Sequence, residues 1–411
     1  MTIALERPVQ TAPVVQPLPR AVASKRPSRP GRGLRVTTRI TLGISAVVWL
    51  FGMLGLGMTA GAPGFALSLT LAIVPVPVVL AAFRWIDRAE PEPVRLLVVT
   101  FMWGATTATA VSVLVESFVG GPLWLSAGIV EEIAKGFILV ALVRFVRSEF
   151  DGVIDGIVYS GFVAAGFAFS ENVGYYVKAY TLGLTADPTA QAVPGDYHTG
   201  DLLINFVMRG VLLPFSHPLF TVMFGIGLGL GIASAKRAVR IIAPVAGLSV
   251  AMALHMTWDY VLFSGPGPSV LLGFLGTSAV LFFAMIVVVS RIRRRELRSI
   301  GAHLQSYADQ GWLAQSELPA LSTFTARRHA RRWAASVGGK HGKRAMVDLQ
   351  HSATKLGLLH RKLAAGRTVP DFATRQRDLL VKLAGARMVL ALSQSFETGT
   401  VASNQLADQT L

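Results

Sequence analysis

The sequence predicts an all-α polytopic membrane protein: a bundle of about eight transmembrane helices, followed by a cytoplasmic helical C-terminal region. Three observations predict it. The 411 residues are 52% hydrophobic with a mean hydropathy of +0.52, well above the range of soluble domains. Apolar segments long enough to cross a bilayer recur between residues 40 and 290. Lys and Arg gather in every second loop, as they do on the cytoplasmic side of membrane proteins.

Residues 1–36 are rich in Pro, Ala, Val and Arg and have no continuous apolar core. They predict a disordered basic tail rather than a signal peptide. The transmembrane domain, residues 37–290, holds apolar segments near 40–60, 65–85, 96–119, 123–146, 153–180, 213–234, 240–263 and 269–290. Arg84, Arg88 and Arg95 follow the second segment, Arg144 and Arg147 the fourth, Lys236, Arg237 and Arg240 the sixth, and Arg291 to Arg295 the eighth. The alternate loops at Gly61, Gly120 and Gly265 carry no Lys or Arg, which predicts both termini in the cytoplasm. Leu202–Leu213 is apolar apart from Asn205 and Arg209; it extends the sixth segment or lies along the outer interface, with a break expected at Pro214 or Pro218. The glycines Gly225, Gly227, Gly229 and Gly231 predict close packing of the sixth helix. Tyr175 and Tyr176 read as outer-interface aromatics.

Residues 291–411 form a basic cytoplasmic region. Met346, Leu349, Ala353, Leu356, Leu359 and Leu363 recur at helical spacing, and a second helix is expected from about Pro370 to Leu392. The region reads as a small helical hairpin or solvated tail, or as a membrane-surface or partner-binding module.

The absence of cysteine excludes disulfides and Cys-based metal or nucleophile sites. The net charge of +16 reflects Lys and Arg that collect at the membrane's cytoplasmic side, so anionic lipid at that face is the expected partner, and no nucleic acid.

Few ionisable groups lie inside the spans: Glu116, Glu131, Glu132, Lys135, Glu171, His217, His255 and Asp259. Each costs about 2.5–3.5 kcal/mol to insert at mid-membrane, so such groups mark function. Lys135 follows Glu131 by four residues and Glu132 by three, within reach of both carboxyls on a helix. His255 and Asp259 share a face of the seventh span. At about 1.5 Å per residue, Glu131 lies roughly 14 Å below the outer face. Glu171, His217 and His255 fall at a comparable level, with Asn172 beside Glu171. The convergence predicts one polar cavity. Asp151 and Asp155 sit at a helix start and read as structural; Glu116 lies near an outer helix end.

Carboxylates with two imidazoles suit water activation, with Glu as general base and His polarising a carbonyl. They equally suit a divalent metal such as zinc. HExxH and GxSxG motifs are both absent near these residues.

Glu131-Glu132-Ile-Ala-Lys135, Gly166-Phe-Ala-Phe-Ser-Glu171-Asn172, His217 and His255-Met-Thr-Trp-Asp259 together resemble the PrsW family of intramembrane proteases, relatives of the type II CAAX prenyl endopeptidases and bacteriocin-processing proteins. The resemblance covers roughly residues 40–290. It implies an endopeptidase acting on single-span membrane proteins, including anti-sigma factors in bacterial signalling. It further implies Glu131 as general base supported by Glu132, and an oxyanion-stabilising pair formed by His255 and Asp259. His217 becomes a second functional imidazole, and Glu171 stands where CAAX-type relatives carry His. A glutamic mechanism without cofactor is expected. In a metal-dependent version, Glu131, Glu171, His217 and His255 are the ligands. A proton-coupled transporter or a non-enzymatic scaffold is the alternative class.

Overall fold

The computed structural model describes residues 32–146, 149–185, 202–263, 268–364, 366, 369 and 371–408. Among these residues the chain is helical and contains no strand. It divides into two compact units, Arg29–Arg293 and, in the C-terminal part, Arg294–Leu411.

The first unit comprises α1 (Arg32–Ile73), α2 (Pro75–Ile86), α3 (Val94–Met102), α4 (Thr109–Glu116), α5 (Leu123–Phe145), α6 (Val153–Thr185), α7 (Leu202–Phe206), α8 (Ser216–Ala233), α9 (Arg237–Phe263) and the start of α10 (Pro268–Asp309). Most of the expected tail lies outside the described residues, but α1 begins at Arg32, inside it. Six helical stretches are long and apolar enough to cross a membrane: Gly43–Ile86, Val94–Glu116, Val153–Leu184, Leu202–Ala233, Arg237–Leu262 and Leu272–Asp309. Two features relate them to the eight apolar segments of the sequence. The first stretch contains two segments, parted where Gly61 adopts φ 68°, ψ 168°, a conformation open to glycine. The segment of α5 is long enough, but Glu131, Glu132 and Lys135 at its centre make it too polar to count by composition.

The bundle is organised around α6, whose spanning window is 83% buried against 6% for α10. Ile157, Val158, Phe162 and Val163 of α6 meet Val79 and Phe83 of α2, Leu139 and Leu142 of α5, and Val222 and Phe224 of α8 in one core. Glycine sets the approach of α8 to its neighbours. A Cβ on Gly225 would lie 2.2 Å from the Gly156 carbonyl oxygen of α6, and one on Gly227 would lie 2.3 Å from the Ala243 oxygen of α9. The glycine series thus packs two sides of α8, as the sequence predicts.

Two stretches widen to π-helix: Trp103–Ala108 between α3 and α4, and Val207–Leu212 after α7. Such turns recur at functional sites. In the first, the Ala105 carbonyl accepts from Ser170 Oγ at 2.6 Å, and that hydroxyl also accepts from Trp49 Nε1 at 2.8 Å. These bonds tie α1, the widened turn and α6 together one residue before Glu171. Asp155 accepts backbone N–H bonds from Asp151 and Gly152 (2.9 Å for the latter), consistent with a structural helix start.

Tyr175 and Tyr176 depart from expectation. Tyr176 is fully buried, and the Tyr175 ring lies beneath the Arg209 guanidinium at 3.9 Å. α10 is held to the bundle through long side chains: Phe274 against Trp258, Phe282 against Phe215, and Arg293, which donates to the Trp85 carbonyl at 2.8 Å. An apolar cavity of about 230 Å³ lies between α10 and the wall formed by α2, α6 and α8.

The second unit contains the end of α10, α11 (Leu318–Ser322), α12 (Phe324–Ala364) and α13 (Phe372–Asp408). Its core joins Leu304, Tyr307, Leu321, Leu349, Ala353, Leu356 and Leu383. The expected apolar series of α12 is buried except at Leu363, which is 47% exposed. Arg327 is buried, donating to the Leu321 carbonyl at 3.0 Å and to the Gln350 carbonyl at 3.3 Å.

Candidate active site

Four helices and one widened turn carry the polar centre: α5 supplies Glu131, Glu132 and Lys135; α6 supplies Glu171 and Asn172; the turn after α7 supplies Arg209; α8 supplies His217 and Thr221; α9 supplies His255 and Asp259. Glu132 and Lys135 are completely buried, and Glu131, His217, His255 and Asp259 are each under 9% exposed. Charges at such depth persist only when paired.

Lys135 is the hub. Its Nζ donates to Glu131 Oε2 and Glu132 Oε1, both at 3.0 Å, reaches His217 Nδ1 at 3.2 Å, and lies 3.8 Å over the Phe167 ring. Glu132 is saturated: Oε1 also accepts from His255 Nδ1 at 3.1 Å, and Oε2 accepts from Thr221 Oγ1 at 2.9 Å. Among the described residues, Glu131 is hydrogen-bonded through Oε2 alone.

The hydrogen bonds fix both imidazoles. An ammonium only donates, so His217 Nδ1 accepts from Lys135, which leaves the ring proton on Nε2, in ion-pair contact with Glu171 Oε2 at 2.7 Å. Glu132 only accepts, so His255 carries its proton on Nδ1. His255 Nε2 then faces Glu131 Oε2 at 3.5 Å and Asp259 Oδ2 at 3.6 Å, both beyond hydrogen-bond distance. The sequence suggested Asp259 as the orienting carboxylate of His255; the bond is made by Glu132 across the α5–α9 interface instead.

Glu171 is held by Arg209 Nη2 at 2.7 Å as well as by His217, and Arg209 Nε donates to Asn172 Oδ1 at 2.7 Å. Glu116 keeps Oε1 buried without a hydrogen-bond partner, so it is not simply solvated at a helix end. A cavity of about 20 Å³ touches Asn172, Arg209, Ser216 and His217, room for about one water.

The sequence singled out every acidic and imidazole member of this cluster but not Arg209 or Thr221. A lone arginine in the otherwise apolar stretch Leu202–Leu213 was the available signal for the first. Nothing in the sequence distinguishes Thr221 from other hydroxyls in the spans.

Donor atoms of Glu131, His217 and His255 lie within 4.8 Å of one another. Two imidazoles and one carboxylate form a catalytic zinc set. Each imidazole also has a carboxylate at its other nitrogen, Glu132 accepting from His255 Nδ1 and Glu171 in ion-pair contact with His217 Nε2, as metal-bound histidines do. The residues therefore fit a divalent ion. Glu171, expected among the ligands, supports His217 from behind. Lys135 bonds two of the three donor residues, so its ammonium competes with any ion there.

Fold and site define a helical membrane protein with a hydrolase-like centre of carboxylates and imidazoles inside its bundle. Residues 92–290 match the family model described as PrsW family intramembrane metalloprotease, which together with the relatives below supports a PrsW family protease. Protease PrsW of Bacillus subtilis (strain 168) is 29% identical over 202 residues, 47% of this chain and 82% of the relative. Protease PrsW of Geobacillus kaustophilus (strain HTA426) is 27% identical over 204 residues, 48% of this chain and 80% of the relative. Protease PrsW of Clostridioides difficile (strain 630) is 34% identical over 118 residues, 26% and 48% of the two chains. No solved structure matches the chain.

Proposed function

We propose that this chain is an intramembrane endopeptidase that cleaves a peptide bond in or beside the membrane segment of a single-span protein, an anti-sigma factor being one candidate, with Glu131 activating the water. The observation that carries this reading is the difference between the two adjacent carboxylates. Both oxygens of Glu132 are engaged by Lys135, His255 and Thr221, whereas Glu131 is held through one oxygen and faces His255 Nε2. Glu132 is the positioning residue and Glu131 the base.

In this mechanism Glu131 takes a proton from water as the water oxygen bonds to the scissile carbonyl carbon. The Lys135 ammonium supplies positive charge beside the carbonyl oxygen on which charge gathers, while His255, its one proton held by Glu132, fixes that carboxylate. The carbon–nitrogen bond then breaks, and the proton held by Glu131 passes to the leaving amine. Arg209 and Glu171 keep the His217 ring in place. A divalent ion held by Glu131, His217 and His255 would polarise the carbonyl and make bound water more acidic.

The apolar cavity beside α10 supports a membrane substrate: it is lined by Phe215, Pro218 and Leu219, on the turn that carries His217. The arginine-rich ends of the spans support cytoplasmic termini.

Mapping new protein N-termini in cells carrying the native chain or its Glu131→Gln form tests the reading. A single-span protein cut only with the native chain names the substrate. Identical maps under several stresses, together with substrate flux in liposomes, would make the chain a transporter; identical maps without flux would leave a scaffold.

A further inference from the structure

We infer that the bent helix α12 presents a docking surface for anionic phospholipid headgroups. The sequence between Glu317 and Asp348 holds seven Lys or Arg residues and no Asp or Glu. In the structure this stretch is not a straight rod. Gly338 (φ −130°, ψ 18°) and Gly339 (φ 56°, ψ −139°) break the helix. The following limb folds back so closely that a Cβ on Gly342 would lie 2.2 Å from the Ala334 carbonyl oxygen. Ala334, Ala345, Met346 and Leu349 face the core of the unit.

Cations on both limbs lie within about eleven residues of this reversal. Arg327 and Arg331 are committed inward, the first to the Leu321 and Gln350 carbonyls and the second to Gln350 Oε1 at 2.6 Å. The other five, Arg328, Arg332, Lys340, Lys343 and Arg344, are exposed. Trp333 stands among them, 43% exposed. Exposed cations with an exposed indole suit a headgroup layer, where the ring lies at the interface and the charges meet phosphates. Base stacking on an indole gives a nucleic acid some of the same chemistry. The membrane is favoured because this unit follows a membrane span directly in the chain, which raises the local concentration of lipid.

The chain has no cysteine, so Ser336→Cys provides a unique labelling site on the full-length protein. The labelled chain is placed in nanodiscs of phosphatidylcholine alone or with phosphatidylglycerol, each doped with a nitroxide-headgroup lipid. Quenching of the fluorophore is expected to rise about threefold with phosphatidylglycerol. It is expected to fall back at about 1 M salt, where the Debye length is about 3 Å. It should also fall back when Arg328, Arg332, Lys340, Lys343 and Arg344 are all changed to Gln, with helical content unchanged. Equal quenching in both lipids, or salt-resistant quenching, overturns the inference. So does displacement of the label from the lipid by added RNA, which would make nucleic acid the partner.

Discussion

Glu132 accepts the Nδ1 proton of His255 across the α5–α9 interface at 3.1 Å, and this bond decides which nitrogen of the ring looks toward Glu131. Two adjacent glutamates on one helix are thereby held differently: Glu132 by three partners, Glu131 through one oxygen.

Replacing Glu132 by Ala should therefore damage folding as well as activity. It strips partners from Lys135, His255 and Thr221 together, and breaking a buried ion pair costs about 3–5 kcal/mol. Thermal unfolding of the purified protein in detergent reads this directly. Glu131→Gln is isosteric, keeps an oxygen for Lys135, and should unfold within a few degrees of the native chain.

Lys135→Met should raise the affinity of the site for zinc by about tenfold or more, because the ammonium that bonds Glu131 and His217 is removed. Bound metal per protein, measured after dialysis against buffered zinc, is the readout. Unchanged zinc binding would mean that Lys135 does not compete at that position.

At Arg209 the fork matters more than the charge. It bonds Glu171 and Asn172 through different nitrogens, which an ammonium cannot do in the same geometry. Arg209→Lys should lower the cleavage rate at least about tenfold with little loss of stability, and Arg209→Met should lower both. Equal activity in the native and Lys forms would confine Arg209 to charge balance.

Glycine packing gives a test independent of catalysis. Gly225→Ala places a methyl 2.2 Å from a backbone oxygen of α6 and should destabilise the bundle by about 1–3 kcal/mol. Gly273→Ala has nothing within 4 Å of the added carbon and should be neutral. Midpoints of thermal unfolding for the two variants provide the comparison.

Glu92 predicts a pH dependence. It lies between the second and third spans, buried, accepting from the Tyr159 hydroxyl. Burial, reinforced by the charge of Asp155, pushes its carboxyl up to about 11. The folded state thus keeps a proton that the unfolded state releases near pH 4.5. Its contribution is complete below that pH and is lost as pH rises toward 11, by up to about 1.4 kcal/mol per pH unit. Glu92→Gln should flatten the fall in stability between pH 6 and 9; an unchanged slope would remove Glu92 as its source.

Much of the site was legible because charges inside a membrane are few and costly. Glu131, Glu132, Lys135, Glu171, His217, His255 and Asp259 stand out against apolar surroundings, and a topology with alternating basic loops puts them at one level. What the sequence left open was pairing. Spacing along α9 favours Asp259 as the partner of His255, but the helix brings their atoms only to 3.6 Å, while packing against α5 delivers Glu132 at 3.1 Å. Tyr176 reads as an interface aromatic by position, yet the packing of α6 against α1 and α7 encloses it. The fold of α12 was legible only in its second limb: the periodic series begins at Met346, and the reversal at Gly338 and Gly339 lies upstream of it.

The most direct test of Glu131 as the base is the single-turnover cleavage rate of the identified substrate by purified protein in proteoliposomes, native against Glu131→Gln, with metal content measured in both. The account predicts a loss of at least about a thousandfold in a variant that folds and binds substrate normally. Cleavage by Glu131→Gln within a few fold of the native rate would contradict it and move the reaction to other groups.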